Sequence, residues 1–198
     1  MDDLGIDCIR SSTLFDFKSK FNDTEYNDNI YSNTDHNCSY YEVNEFKKEF
    51  VQGSCKFSSF SLNIRSLPGK WSEFRDYIIN LNSNNFKFSV IALQEIWNVP
   101  RGVCYNLDGY KPLEYKIRDP TGLNGNAGGG VGIWVDDDLE YDIIDKLSVF
   151  EPHFFESLFI KVRTSNNKFT IIGNIYRPNK GHHANLRTFL DKLAEICT

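Results

Sequence analysis

The sequence predicts a mixed α/β (α+β) fold that begins near residue 57, preceded by an irregular head. Three observations predict it. A period-2 stretch, a period-3.6 stretch and a short apolar run follow one another between Phe57 and Glu95, the pattern of a strand-helix-strand unit. Two further alternating runs, residues 156–163 and 168–176, are separated by the turn residues Asn166-Asn167, the pattern of a hairpin. Residues 1–55 keep neither period.

The head is crowded with Asn, Asp and Ser around scattered Phe and Tyr. With few aliphatic side chains it cannot offset the entropy of ordering, so a largely disordered segment is expected. Within it, residues 43–51 have the composition for two helical turns. At Phe57 the character changes. Phe60, Leu62 and Ile64 alternate with Ser59, Ser61 and Asn63, which turns Asn63 away from the apolar face. Arg65-Ser66-Leu67-Pro68-Gly69 reads as a loop. Ser72 is placed to cap a helix with the stripe Phe74, Ile78 and Leu81. The stretch from Phe88 to Trp97 then supplies a strand. Its centre, Val90-Ile91-Ala92-Leu93, suits burial on both faces. A right-handed crossover makes the two strands parallel and brings Asn63 and Glu95 to one end of one sheet.

Residues 98–127 read as a long connection with turn signals at Asp108-Gly109, Asp119-Pro120 and Asn124-Gly125. Gly128-Gly129-Gly130 leads into the apolar strand Val131-Gly132-Ile133-Trp134-Val135. The glycines do not make a nucleotide-phosphate loop, because no Gly-Lys-Ser/Thr and no helix follow; they read as room for close backbone approach beside a strand. Tyr141 to Ile144 is a short strand. In the hairpin, Leu158, Ile160 and Val162 face opposite to Phe159, Lys161 and Arg163, and Pro178 stops the returning strand. Residues 185–197 form a helix with Leu186, Phe189, Leu190 and Leu193 on one face.

The chain has 198 residues, 40% of them hydrophobic, and a formal net charge of −5. That charge sits in the head: residues 1–50 carry 5 basic and 11 acidic side chains, while the rest carries 17 and 16. A near-neutral body makes no strong electrostatic case for nucleic acid and does not oppose it. Five cysteines without a Cys-x-x-Cys pair argue against both a disulfide framework and a zinc site. The acidic start lacks the features of a signal peptide, and no apolar run reaches membrane-spanning length, so an intracellular protein, nuclear or cytoplasmic, with no membrane partner is expected. Oligomeric state is left open.

Chemistry concentrates where the apolar run turns into Gln94-Glu95. Ligands of open α/β sheets sit beyond the carboxyl ends of the strands, so a carboxylate emerging there is placed to hold a cation. By itself the stretch also reads as a buried strand followed by a solvated acidic turn. Asn63, at the same end, adds an amide that can orient a phosphate oxygen.

Four segments stand in order: Asn63-Ile64-Arg65-Ser66-Leu67, Leu93-Gln94-Glu95-Ile96-Trp97, Gly128-Gly129-Gly130-Val131-Gly132-Ile133 and Asn174-Ile175-Tyr176-Arg177-Pro178. Together they resemble the endonuclease/exonuclease/phosphatase superfamily. More narrowly, they resemble the apurinic-endonuclease-type domain at the front of LINE-type (non-long-terminal-repeat) retrotransposon polyproteins. The resemblance covers roughly residues 57–198. It implies a four-layer sandwich of two mostly antiparallel sheets flanked by helices, with the site at one edge. It implies a metal-dependent DNA endonuclease that uses Mg²⁺ or Mn²⁺, with DNA as partner and no small-molecule cofactor. Glu95 and Asn63 would be the metal-site residues, and Asn63, Glu95 and Tyr176 the catalytic set. Arg65, Arg177 and Asn174 would contact the substrate. Glu156, which opens the first hairpin strand, is read on the structural side.

After Tyr176 this sequence contains neither the family's later Gly-Asp-x-Asn segment nor its late Ser/Asp-His pair. The expectation is therefore a truncated N-terminal half, residues 56–198, that does not cleave DNA. Two rival readings remain. One is a phosphoesterase of the same superfamily, resembling inositol-polyphosphate phosphatases or sphingomyelinases, which share the Asn and Gln-Glu strands. The other is a non-catalytic nucleic-acid-binding or interaction remnant.

Overall fold

The structure, a computed structural model, describes residues 57–97, 99–100, 102–117, 128–151, 155–165, 168–177, 190–191 and 194–195. The expected head, residues 1–55, lies outside the described residues. The elements in chain order are β1 (Ser59–Asn63), α1 (Leu67–Ser83), β2 (Val90–Gln94), β3 (Glu114–Lys116), β4 (Val131–Val135), β5 (Tyr141–Ile143), a 3-10 turn (Asp145–Leu147), β6 (Phe150–Glu151), β7 (Phe155–Ser165) and β8 (Lys168–Tyr176). They form two mostly antiparallel sheets, with α1 on the outer side of the first.

The first sheet has the order β1-β2-β4-β3. β1 and β2 are parallel, with Phe60 opposite Ile91 and Asn63 opposite Gln94, so the strand-helix-strand unit forms as its periodicity predicts. β4 runs antiparallel to β2 and places Gly132 opposite Leu93. The alternation of β2 explains its burial on both faces. Ile91 and Leu93 pack with Phe60, Phe74, Ile78, Leu81 and Trp134 under α1. Val90 and Ala92 pack with Val131, Ile133 and Val135 against Leu158, Ile160 and Val162 of the second sheet. Trp134 is fully buried, its ring stacked 6.0 Å from Trp71 and 5.8 Å from Phe74.

The apolar stripe of α1 is as expected, but the helix starts earlier, at Leu67 with Ser66 as its N-cap rather than at Ser72. The segment read as a Pro-Gly loop is the first helical turn. Proline is tolerated there because its missing N–H has no intrahelical partner to lose. Ser66 Oγ accepts from the Gly69 N–H at 3.1 Å, satisfying one of the helix's open donors. Ser66→Ala is expected to cost about 1 kcal/mol of stability, and Ser66→Gly only a few tenths, because glycine adopts the residue's φ of 92° freely. Thermal unfolding of the two variants beside the parent checks the order.

In the second sheet β7 is central. β5 and β6 pair with one edge and β8 with the other. The hairpin has the predicted register faces: Leu158, Ile160 and Val162 turn inward, and Lys161 and Arg163 outward. The two sheets are tied at one side by the Tyr141 hydroxyl, which donates to Glu114 Oε1 at 2.8 Å. Burial, and then the neighbouring carboxylate, push the Tyr141 phenol above its ordinary value. The bond therefore stays in place as pH rises through the range in which a free phenol ionises.

The long connection is not wholly a loop, since β3 lies within it and extends the first sheet. The two-residue β6 was also not anticipated. Of the expected C-terminal helix, Leu190, Asp191, Ala194 and Glu195 are helical, and its other residues lie outside the described ones. The described residues thus give three layers: helix, sheet and sheet. The outer face of the second sheet leaves Phe169 45% and Ile171 60% exposed. Among the described residues no helix is long and apolar enough to cross a membrane.

Candidate active site

β2 ends at Gln94, and the chain leaves it through Glu95 at φ 55° and Trp97 at φ 60°. Between them Ile96 is fully buried in the core under α1. Flanking backbone holds this turn from both sides. Ser66 N–H donates to Glu95 O at 2.8 Å and Leu67 N–H to Ile96 O at 3.1 Å, while Trp97 N–H donates to Gly129 O at 2.8 Å. Left-handed backbone costs a non-glycine residue about 1–3 kcal/mol and persists where its surroundings over-determine it. Among the described residues the non-glycine positions with positive φ are Arg65, Ser66, Asn85, Glu95 and Trp97, and four of these border this end of the first sheet. Such clustering at one place is typical of functional sites.

Among the described residues, donors from Trp97, Gly129 and Tyr176 hold the Glu95 carboxylate. Oε2 accepts from the Trp97 indole N–H at 2.6 Å and from the Gly129 N–H at 3.1 Å. Oε1 accepts a short hydrogen bond from the Tyr176 hydroxyl. Tyr176 reaches it because β8 packs across from β2 and β4, and both residues stand at the same end of the sandwich. One residue further along the glycine cluster, Gly130 N–H donates a short hydrogen bond to Oε2 of Glu156, which is 2% exposed. The two glycines at φ 89° and 87° therefore turn successive N–H groups onto two different carboxylates. Glu156 thereby ties the glycine pair to β7.

The remaining sequence-derived candidates separate into two groups. Asn63 is exposed at the end of β1, abreast of Gln94 and one position short of Glu95. Arg65, exposed in the turn after β1, and half-buried Arg177, just past β8, flank the same end. Asn174 is different. The resemblance implied a substrate contact, but the residue is 2% exposed and its amide is committed to the sheets. Its Nδ2 donates to Leu93 O at 2.8 Å and Gly132 O at 3.0 Å, and its Oδ1 accepts from Gln94 Nε2 at 2.5 Å. Gln94 Nε2 also donates to Ser61 Oγ at 3.1 Å. Inward-facing positions of β8 fall on even numbers, and residue 174 is one of them. The polar group is buried because every strand it touches gives it a partner.

The donor chemistry suits a hard divalent cation. Mg²⁺ takes oxygen ligands and is commonly bound by one or two carboxylates together with waters and substrate oxygens. Glu95 and the amide oxygen of Asn63 offer that set at one sheet end. A separate acidic cluster, Asp136, Asp137 and Asp138, lies at the opposite end of β4, its carboxylate oxygens within 4.8 Å of one another. Lys87 Nζ already bridges it, 2.7 Å from Asp136 and 3.0 Å from Asp137. Partial burial pulls the Lys87 ammonium down, but its hydrogen bonds to the two carboxylates outweigh this and raise it above its ordinary value. The cluster is thus an ion-paired strand terminus.

Sequence reasoning missed Trp97 and Gly129 as partners of Glu95. Both lie inside the quoted motifs, but nothing in their local pattern shows that they turn back on the carboxylate. Among known proteins, no family model and no curated sequence matches this chain.

Proposed function

We propose that this chain carries the cation- and phosphate-binding edge of a metal-dependent phosphodiester hydrolase, a DNA endonuclease of the retrotransposon type. The observation that supports this best is the Glu95 carboxylate, held in a strained turn at the strand ends against the Tyr176 hydroxyl. In this reading Glu95 and Asn63 hold Mg²⁺ or Mn²⁺. When bound, the cation steadies the charge that develops on the phosphate oxygens during in-line attack by water. On substrate binding the Tyr176 hydroxyl gives up its bond to Glu95 and donates its single proton to a phosphate oxygen instead. Arg65 and Arg177 border the site and contact the DNA backbone, where guanidinium groups match phosphate geometry.

Binding and cleavage separate at this point. Residues 177–198 contain neither the Gly-Asp-x-Asn nor the Ser/Asp-His segment that would orient the attacking water and complete the phosphate contacts. Positioned acid–base groups contribute about 10²–10⁴-fold in rate. The expected result is a chain that binds Mg²⁺ through Glu95 and does not nick supercoiled plasmid. Calorimetric titration with Mg²⁺ and a nicking assay, each run on the parent and on Glu95→Ala, test this. Loss of cation binding in Glu95→Ala supports the reading, and equal binding by both removes it. Nicking that disappears in Glu95→Ala would show that these residues make a complete site, and the non-cleaving part of the proposal would fall.

A further inference from the structure

We infer that Trp97 is a positioning residue for cation binding, its indole N–H fixing the Glu95 carboxylate in its ligating orientation. The inference rests on the reading of Glu95 as a cation ligand and concerns a residue to which that reading gives no role. Three observations carry it.

The 2.6 Å bond from Trp97 Nε1 to Glu95 Oε2 is short, as charge-assisted bonds are. Trp97 makes it from φ 60°, its side chain turned back to a residue two positions earlier. A positive φ is unusual for a bulky residue and needs a reason. Burial does not supply one: Trp97 is half-buried and belongs to neither hydrophobic cluster, unlike Trp134 and Trp71. Backbone hydrogen bonds on both sides hold the turn in that conformation, and in it the indole meets the carboxylate. Together with the Gly129 N–H at 3.1 Å, the indole commits Oε2 to the protein. The rotation of the carboxyl group is then fixed before any cation arrives. Partners of this kind behind a ligating carboxylate typically change metal affinity about 10–100-fold when removed.

The test uses the full chain, Mg²⁺ alone and two variants. Trp97→Phe keeps an aromatic ring and removes the N–H. Trp97→His keeps a ring donor. Amide and indole ¹H–¹⁵N resonances are followed through a Mg²⁺ titration. In the parent, the Trp97 indole resonance is expected to shift with the same midpoint as the backbone amides of Gln94 and Glu95, while the Trp71 and Trp134 indoles stay in place. Trp97→Phe is expected to weaken Mg²⁺ binding about 10–100-fold with an unchanged amide spectrum away from residues 94–97, and Trp97→His to recover part of the loss. Unchanged affinity in Trp97→Phe overturns the inference, as does a Trp97 indole that ignores the cation while the Glu95 amide responds. Either result leaves the cation reading intact. If no amide near Glu95 responds to Mg²⁺ in the parent, the cation reading fails and the inference fails with it.

Discussion

Gly130→Ala is expected to lower stability by about 3 kcal/mol, a fall of about 6–12 °C in Tm for a chain of this size. Two effects combine. The position has φ 87°, which an alanine adopts only under strain. An added Cβ would also stand 2.8 Å from Ile96 Cγ1 and 3.4 Å from both Ile117 Cγ2 and Lys116 O. Ile96 is fully buried and cannot swing away. Any relief must come from moving the turn that carries Glu95, or from withdrawing the Gly130 N–H from Glu156. On the proposal that Glu95 holds a cation, Mg²⁺ binding should weaken along with stability. Thermal unfolding and a cation titration on the same sample check both. A variant that melts with the parent would mean that the glycine cluster and the turn after β2 are not packed as described.

Asn174→Ala is expected to cost a similar amount, about 3 kcal/mol. The substitution removes the amide that joins Leu93 and Gly132 of the first sheet to β8, strips Gln94 Nε2 of its closest acceptor and leaves a cavity between the sheets. Asn174→Asp should be no better, since an acceptor-only carboxylate would face two carbonyl oxygens in a buried site. A substrate contact makes the opposite forecast: Asn174→Ala would then lose DNA binding at unchanged Tm. Thermal unfolding, set beside a DNA-binding titration at fixed salt, separates the two.

Much of the framework was legible in the sequence because it follows from local periodicity. Phe60, Leu62 and Ile64 against Ser59, Ser61 and Asn63 determine which face of β1 meets α1. Val90 to Leu93 is apolar throughout, and both of its faces are covered. The alternation across residues 156–163 and 168–176 determines both the hairpin and its inward side. Asn63 and the start of the Glu95 turn come to one sheet end because a parallel crossover leaves no other arrangement.

Only the tertiary structure decided the rest. β3 has three residues and no usable period, and it is a strand because β4 offers it an edge. α1 starts at Leu67 because the Ser66 side chain reaches the Gly69 N–H, and the proline that reads as a loop marker fits a first helical turn. The left-handed backbone at Glu95 and Trp97 belongs to residues with no glycine-like freedom. It is imposed by hydrogen bonds from the Ser66–Leu67 segment on one side and the Gly129–Gly130 pair on the other. The amide of Asn174 acquires its partners from two strands distant in sequence, β2 and β4. What the sequence alone determined is the period of each element and the face it buries. Of the groups that hold the Glu95 carboxylate, Gly129 and Tyr176 lie 34 and 81 positions away, contacts that no local pattern encodes.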